Sequence, residues 1–101
     1  MPYIAPELRD GIDDVIDAAI EDIRDRIAPS DMIGTANYAV TRMVTGLLHP
    51  EVGGWRYRSL AEVVATLEAA KLEIYRRLVV PYEDRCIDKN GDLLELEETT
   101  L

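Results

Sequence analysis

Residues 59–92, SLAEVVATLEAAKLEIYRRLVVPYEDRCIDKNGD, constrain the fold more than any other stretch, because their apolar positions recur at a spacing that an α-helix brings to one side. Leu60, Val64, Leu67, Ile74, Tyr75 and Leu78 fall on one face of such a helix, and Lys71 stands in the middle of them. An ammonium in an apolar stripe needs either a counter-charge or a path to water. From residue 59 to residue 80 the helix would be about 33 Å long, roughly a third longer than the two that precede it. Ser59 and Glu62 have the spacing of a capping box, which predicts the start at Ser59. Pro81 lacks a backbone N–H, so a kink or a fresh helical start is expected there, with Glu83 and Asp84 in its first turn. Asn90-Gly91 predicts the stop.

Two shorter helices precede it. Ile12, Val15, Ile16, Ala19, Ile23 and Ile27 follow the i, i+3, i+4 rule and predict a first helix over residues 11–27, with Asp13, Asp14, Asp17, Glu21 and Asp25 on its solvated side and Pro29 beyond its end. Ile33, Ala36, Val40, Met43, Val44 and Leu47 predict a second helix from Asp31 or Gly34 to Leu48, stopped by Pro50. The loop EVGGWRYR follows, where Gly53-Gly54 permits a tight reversal. The expected architecture is an all-α domain of three helices over residues 1–92, the third long and kinked at Pro81, with an acidic tail over residues 93–101. Leu72, Val79 and Val80 lie off the main stripe of the third helix and leave it apolar surface after intramolecular packing. A second copy is the natural cover, so a homodimer or a higher symmetric oligomer, built as a helical bundle, is expected.

Charge narrows the partners. The chain of 101 residues carries a formal net charge of −9, and its acids sit at the two ends: eight acids against three bases in residues 6–27, and seven against two in residues 83–101. Such a field repels phosphate at long range, so direct nucleic-acid binding is not expected. No apolar run of membrane-spanning length occurs, and the start, MPYIAPELRD, has no basic region leading into an apolar one, so neither a membrane span nor export is expected. The single cysteine, Cys86, points to a reducing cytoplasm.

Polar residues near the apolar stripes are the candidate site. Asn37 lies at the edge of the second helix's stripe, Thr41 lies one turn further on, and Tyr38 and Arg42 point more outward. With Lys71 and Tyr75, the pair Asn37 and Thr41 would form a polar pocket between helices two and three for an anion or a partner's carboxylate. The plain alternative is snorkelling, in which the Lys71 stem lies along the core and its ammonium reaches water or Glu68. Glu73, Arg76 and Arg77 have the spacing of surface ion pairs. Yet Tyr75, Arg76, Arg77 and Tyr82 also place aromatic planes and guanidinium forks near one kink, a combination that stacks on a base and holds a phosphate.

Catalytic and metal signatures do not emerge. Asp88-Lys89-Asn90-Gly91-Asp92 opens like a calcium loop, but position 6 would be Leu93 in place of glycine and position 12 Thr99 in place of glutamate, so it reads as a helix cap and turn. His49 has no nucleophile or acid at a recognisable spacing and reads as a helix-end residue. All-α, magnesium-dependent nucleotide pyrophosphatases carry paired ExxE and ExxD motifs, whereas the ExxE here, Glu95 to Glu98, lies in the tail. No cofactor and no metal are expected.

Three segments carry a family likeness: MPYI at the start, the run Asn37-Tyr38-Ala39-Val40-Thr41-Arg42, and LEAAKLEIYRRLVVPYEDRCIDKNGD over residues 67–92. Together they resemble a family of short, functionally uncharacterised proteins of tailed phages and prophages, marked by an N-Y-x-[IV]-T-R run and a K-x-E-x-Y-R-R-x-x-x-P-Y-E-D segment. The resemblance implies phage origin and the cytoplasm of a bacterial host, and it carries over no catalytic or binding residue. The expected function is non-catalytic binding by a phage accessory protein, suited to an inhibitor of host defence, directed at a host protein or a small nucleotide-like anion. Two alternatives stand beside it: an acidic mimic of DNA, using the face of helix one and the tail, and a pyrophosphatase of the helical class.

Overall fold

A computed structural model describes residues 2–94 of the chain as helices joined by short turns, with no strand among them. The acidic tail from residue 95 onward, with the Glu95–Glu98 spacing and Thr99, lies outside the described residues, as does Met1. The described residues are all-α, and the chain divides into two compact units, Met1–Leu67 and Glu68–Leu101. Each is described by itself.

In the first unit, α1 spans Pro6–Arg26 and begins five residues before the expected start at Gly11. Proline suits the first turn of a helix because its missing N–H has no intrahelical acceptor there and its ring holds φ near the helical value. Glu7 adds a negative charge at the positive end of the helix dipole. The guanidinium of Arg9 donates to the carbonyl of Ile4 at 2.8 Å and so ties the preceding segment to the first turn. The helix ends where Ile27 turns extended, and Ala28 stays extended because the Pro29 ring excludes the helical conformation of the residue before it. One 3₁₀ turn, Pro29–Asp31, leads straight into α2, Met32–Leu48, within the expected range.

The loop after α2 is organised by His49 and Trp55, whose rings meet edge to face at 4.9 Å between centroids, while His49 Nδ1 lies 2.8 Å from the carbonyl oxygen of Pro50. Gly53 takes φ +79°, the left-handed conformation that the reversal requires. Helix α3, Tyr57–Ile74, starts two residues before Ser59, and the capping box does not form as expected. Arg56 is the capping residue, its carbonyl accepting the N–H of Leu60 at 2.9 Å. Ser59 instead sits at the third helical position and reaches back, accepting the Arg56 N–H at 3.0 Å and donating to the Arg56 carbonyl at 2.9 Å. Serine thus fills the returning half of the motif, and Glu62 is left to approach Arg58 at 3.8 Å on the surface.

The boundary between the units falls inside α3, after Leu67. In the second unit the last turns of α3 pass into a π-helical turn, Tyr75–Val79, and then into α4, Val80–Asn90. Pro81 explains the sequence of elements. It cannot donate to the carbonyl four residues back, and its ring crowds that carbonyl, so the chain widens by one residue and the Val80 N–H bonds to the Tyr75 carbonyl five residues back. The break expected at Pro81 therefore takes the form of a π turn just upstream, followed by a new α-helix with Pro81 and Glu83 in its first turn. Gly91 closes α4 as expected, with φ +87° and its N–H on the Ile87 carbonyl at 2.8 Å.

Packing departs furthest from expectation. Among the described residues only Val63 is buried, at 8% exposure. Positions expected to face a core lie open: Ile33 is 89% exposed, Leu47 78%, and Val15, Leu60, Val64, Ile74 and Leu78 are exposed as well. The accessible surface is 9397 Å², whereas a folded monomer of 11.4 kDa is expected to expose roughly 5,800 Å². The amphipathic stripes are real, and a single chain leaves most of them uncovered. No helix among the described residues is long and apolar enough to cross a membrane.

Candidate functional site

The first unit holds an apolar groove of about 700 Å³ between α1 and α2. Helix α1 contributes Ile16, Ala19, Ile20 and Ile23, and α2 contributes Ala36, Ala39, Val40 and Met43. Ile27, Pro29 and Met32 close one end where the 3₁₀ turn reverses the chain. The alanines are small, so the backbones of both helices stay within reach of whatever enters. Thr35 also lines the groove, but its hydroxyl is spent on the Asp31 carbonyl at 2.9 Å, which leaves Arg24 as the charged group on the wall. A second, shallower depression is lined by Asp17, Ile20, Glu21, Arg24 and Asp25, and it shares Ile20 and Arg24 with the first. The groove is therefore bordered along α1 by three carboxylates. Chemically it suits an apolar body flanked by positive charge.

The residues singled out from the sequence are distributed differently. On α2, Asn37 and Thr41 engage each other's helix turn: the Thr41 hydroxyl donates to the Asn37 carbonyl at 2.8 Å and lies 3.4 Å from Asn37 Oδ1. Thr45 repeats the pattern one turn on, donating to the Thr41 carbonyl at 2.6 Å. Tyr38 and Arg42 form an exposed pair, with an Arg42 N–H donating to the Tyr38 hydroxyl at 3.0 Å and the guanidinium 5.8 Å from the ring centroid. All four are exposed.

In the second unit the Lys71 side chain is 69% exposed, and its ammonium lies 3.4 Å from Glu68. This is the snorkelling geometry, and the counter-charge comes from one turn back on the same helix. Of the two readings of Lys71, its own unit shows the one in which the ammonium reaches water beside Glu68. Arg76 donates to Glu73 at 3.0 Å, the surface pairing read from their spacing. Tyr82 lies under Arg85, 5.9 Å from guanidinium to ring centroid, so this aromatic partners a base on its own helix. Tyr75 and Arg77 are exposed on the π turn.

The groove was only partly visible in advance. Ile16, Ala19 and Ile23 belong to the stripe of the first helix, but Ile20, one turn beyond Ile16, was absent from it although its spacing qualifies. That Ala39 joins Ala36 on the wall follows from the way α2 faces α1, which the pattern within α2 does not specify. Among the described residues no three of His, Cys, Asp and Glu come together as a metal ion would need.

Comparison with known proteins adds one family. A family model described as a domain of unknown function, DUF6899, matches residues 1–93. No curated protein and no solved structure matches the chain.

Proposed function

The chain belongs to the DUF6899 family, and we propose that it is a non-catalytic binding protein whose working form is a symmetric homo-oligomer, assembled as a helical bundle from faces that one chain leaves open. The observation that carries this reading is the surface. The chain exposes roughly 3,600 Å² more than a folded monomer of the same mass, and the exposed residues include Ile33, Leu47, Val64 and Leu78 on helix faces, whereas soluble monomers rarely carry exposed apolar patches beyond a few hundred Å². Stable homodimers hide about 1,000–2,500 Å² per partner, so the excess is sufficient for an intertwined dimer or for more than one interface per chain.

Binding fits better than catalysis because several of the candidate polar groups are engaged locally and on the outside. Asn37 with Thr41, Arg42 with Tyr38, Lys71 with Glu68 and Arg76 with Glu73 are neighbours along single helices. The resemblance to tailed-phage proteins supports an accessory role exercised on a host protein in the bacterial cytoplasm. Sedimentation velocity of the purified full chain tests the reading: a species of two or more chain masses is expected at micromolar concentration. A well-folded particle of one chain mass would overturn it.

A further inference from the structure

We propose that the apolar groove between α1 and α2 is the socket for residues 71–79 of a second copy of this chain, the end of α3 together with the π turn. The inference rests on the oligomeric reading above and adds which surfaces meet.

Three observations select this occupant. The first is length: the groove runs from Ile16 to Ile27 along α1 and from Met32 to Met43 along α2, about 17 Å in each case at the helical rise. Residues 71–79, about 12 Å long at the same rise, fit within that length, and Ile74, Tyr75 and Leu78 among them are exposed. The second is charge. Asp17, Glu21 and Asp25 border the groove, and α1 as a whole is acidic. A groove-to-groove pairing would bring acids against acids, and α4 carries Glu83, Asp84 and Asp88 against Arg85 and Lys89. Residues 71–79 hold Lys71, Arg76 and Arg77 against Glu73 alone, the most basic helical stretch of its length in the described residues. Opposed charges of this kind fix partner and register around an apolar contact.

The third is the π turn itself. Tyr75 and Leu78 lie on it, exposed, immediately before Pro81, and such turns concentrate at functional positions. The arrangement is reciprocal under two-fold symmetry, each chain giving one socket and receiving one plug, and it closes both apolar surfaces at once.

Disulfide trapping tests it on the full chain with Cys86→Ser. Ile20→Cys or Met43→Cys is placed in one preparation and Ile74→Cys or Leu78→Cys in another, and the two are mixed, unfolded, refolded together and oxidised. Because a disulfide needs α-carbons within about 7 Å, at least one of the four pairings is expected to give a mixed dimer of two chain masses that neither preparation gives alone. Absence of mixed dimer in all four, from protein that sediments as an oligomer, overturns the socket while leaving the oligomeric reading intact. Joining Ile20→Cys and Leu78→Cys in one chain and obtaining a disulfide at single-chain mass overturns it as well, since the chain then fills its own groove. Charge reversal with Cys86 in place is the second measurement. Asp17→Lys with Glu21→Lys is expected to weaken association about tenfold, and adding Lys71→Glu with Arg77→Glu to restore it. Losses that add instead of cancelling would also overturn the pairing.

Discussion

Dilution should unfold this protein, and the size of the effect follows from its surface and length. A fully unfolded chain of 11.4 kDa exposes about 16,500 Å², so a monomer folded to the usual extent would bury about 10,700 Å². This chain, at 9397 Å² exposed, buries about 7,100 Å², a third less. Net stabilities of about 5–15 kcal/mol are small remainders of opposing terms near 100 kcal/mol, so on the oligomeric reading proposed above a deficit of one third in burial is made good by a second copy. Folding and association should be one transition. For a dimer of 101-residue chains the unfolding enthalpy near 60 °C is about 140 kcal/mol, taking about 0.7 kcal/mol per residue. Each tenfold dilution should then lower the midpoint by about 4 °C, and a change from about 100 µM to about 0.1 µM by about 11 °C. Far-UV circular dichroism melts over that range, in long-path cells at the dilute end, provide the assay. A midpoint constant within about 1 °C would mean that a single chain hides its own apolar faces, and the reasoning from exposed area would fail.

Two local predictions concern the helix ends. Gly91 combines φ +87° with ψ 155°, a conformation essentially confined to glycine, so Gly91→Ala should destabilise by about 1–3 kcal/mol or release the last turn of α4, measured as a lower urea midpoint or as faster amide exchange near Ile87. Ser59→Ala removes both hydrogen bonds to Arg56 and should cost about 1 kcal/mol at the start of α3, read from the same urea titration; no change would mean that water replaces the serine without loss.

Local features were legible in the residues, and the cover over each face was not. The helical class, the stop at Gly91 and the disturbance at Pro81 all rest on interactions within a few residues: the i to i−4 hydrogen bond, a ring without an N–H, and a glycine free to take positive φ. Where a rule was applied too narrowly the boundary moved, as at Pro6, whose fitness for a first turn was overlooked, and at Ser59, which serves the cap from the third position and not from the first.

Lys71 shows where local reasoning ended. Periodicity sets it on one face with Leu67, Ile74 and Tyr75, but whether that stripe meets another helix is decided by surfaces far away in the chain or on another chain. The same holds for the groove between α1 and α2. Its apolar residues are written in the spacing, whereas the space between them comes from how the two helices are placed in the first unit. Helical periodicity is a property of the backbone and its near neighbours. Burial depends on contacts that the same period allows in many combinations, and only the packed structure chooses among them.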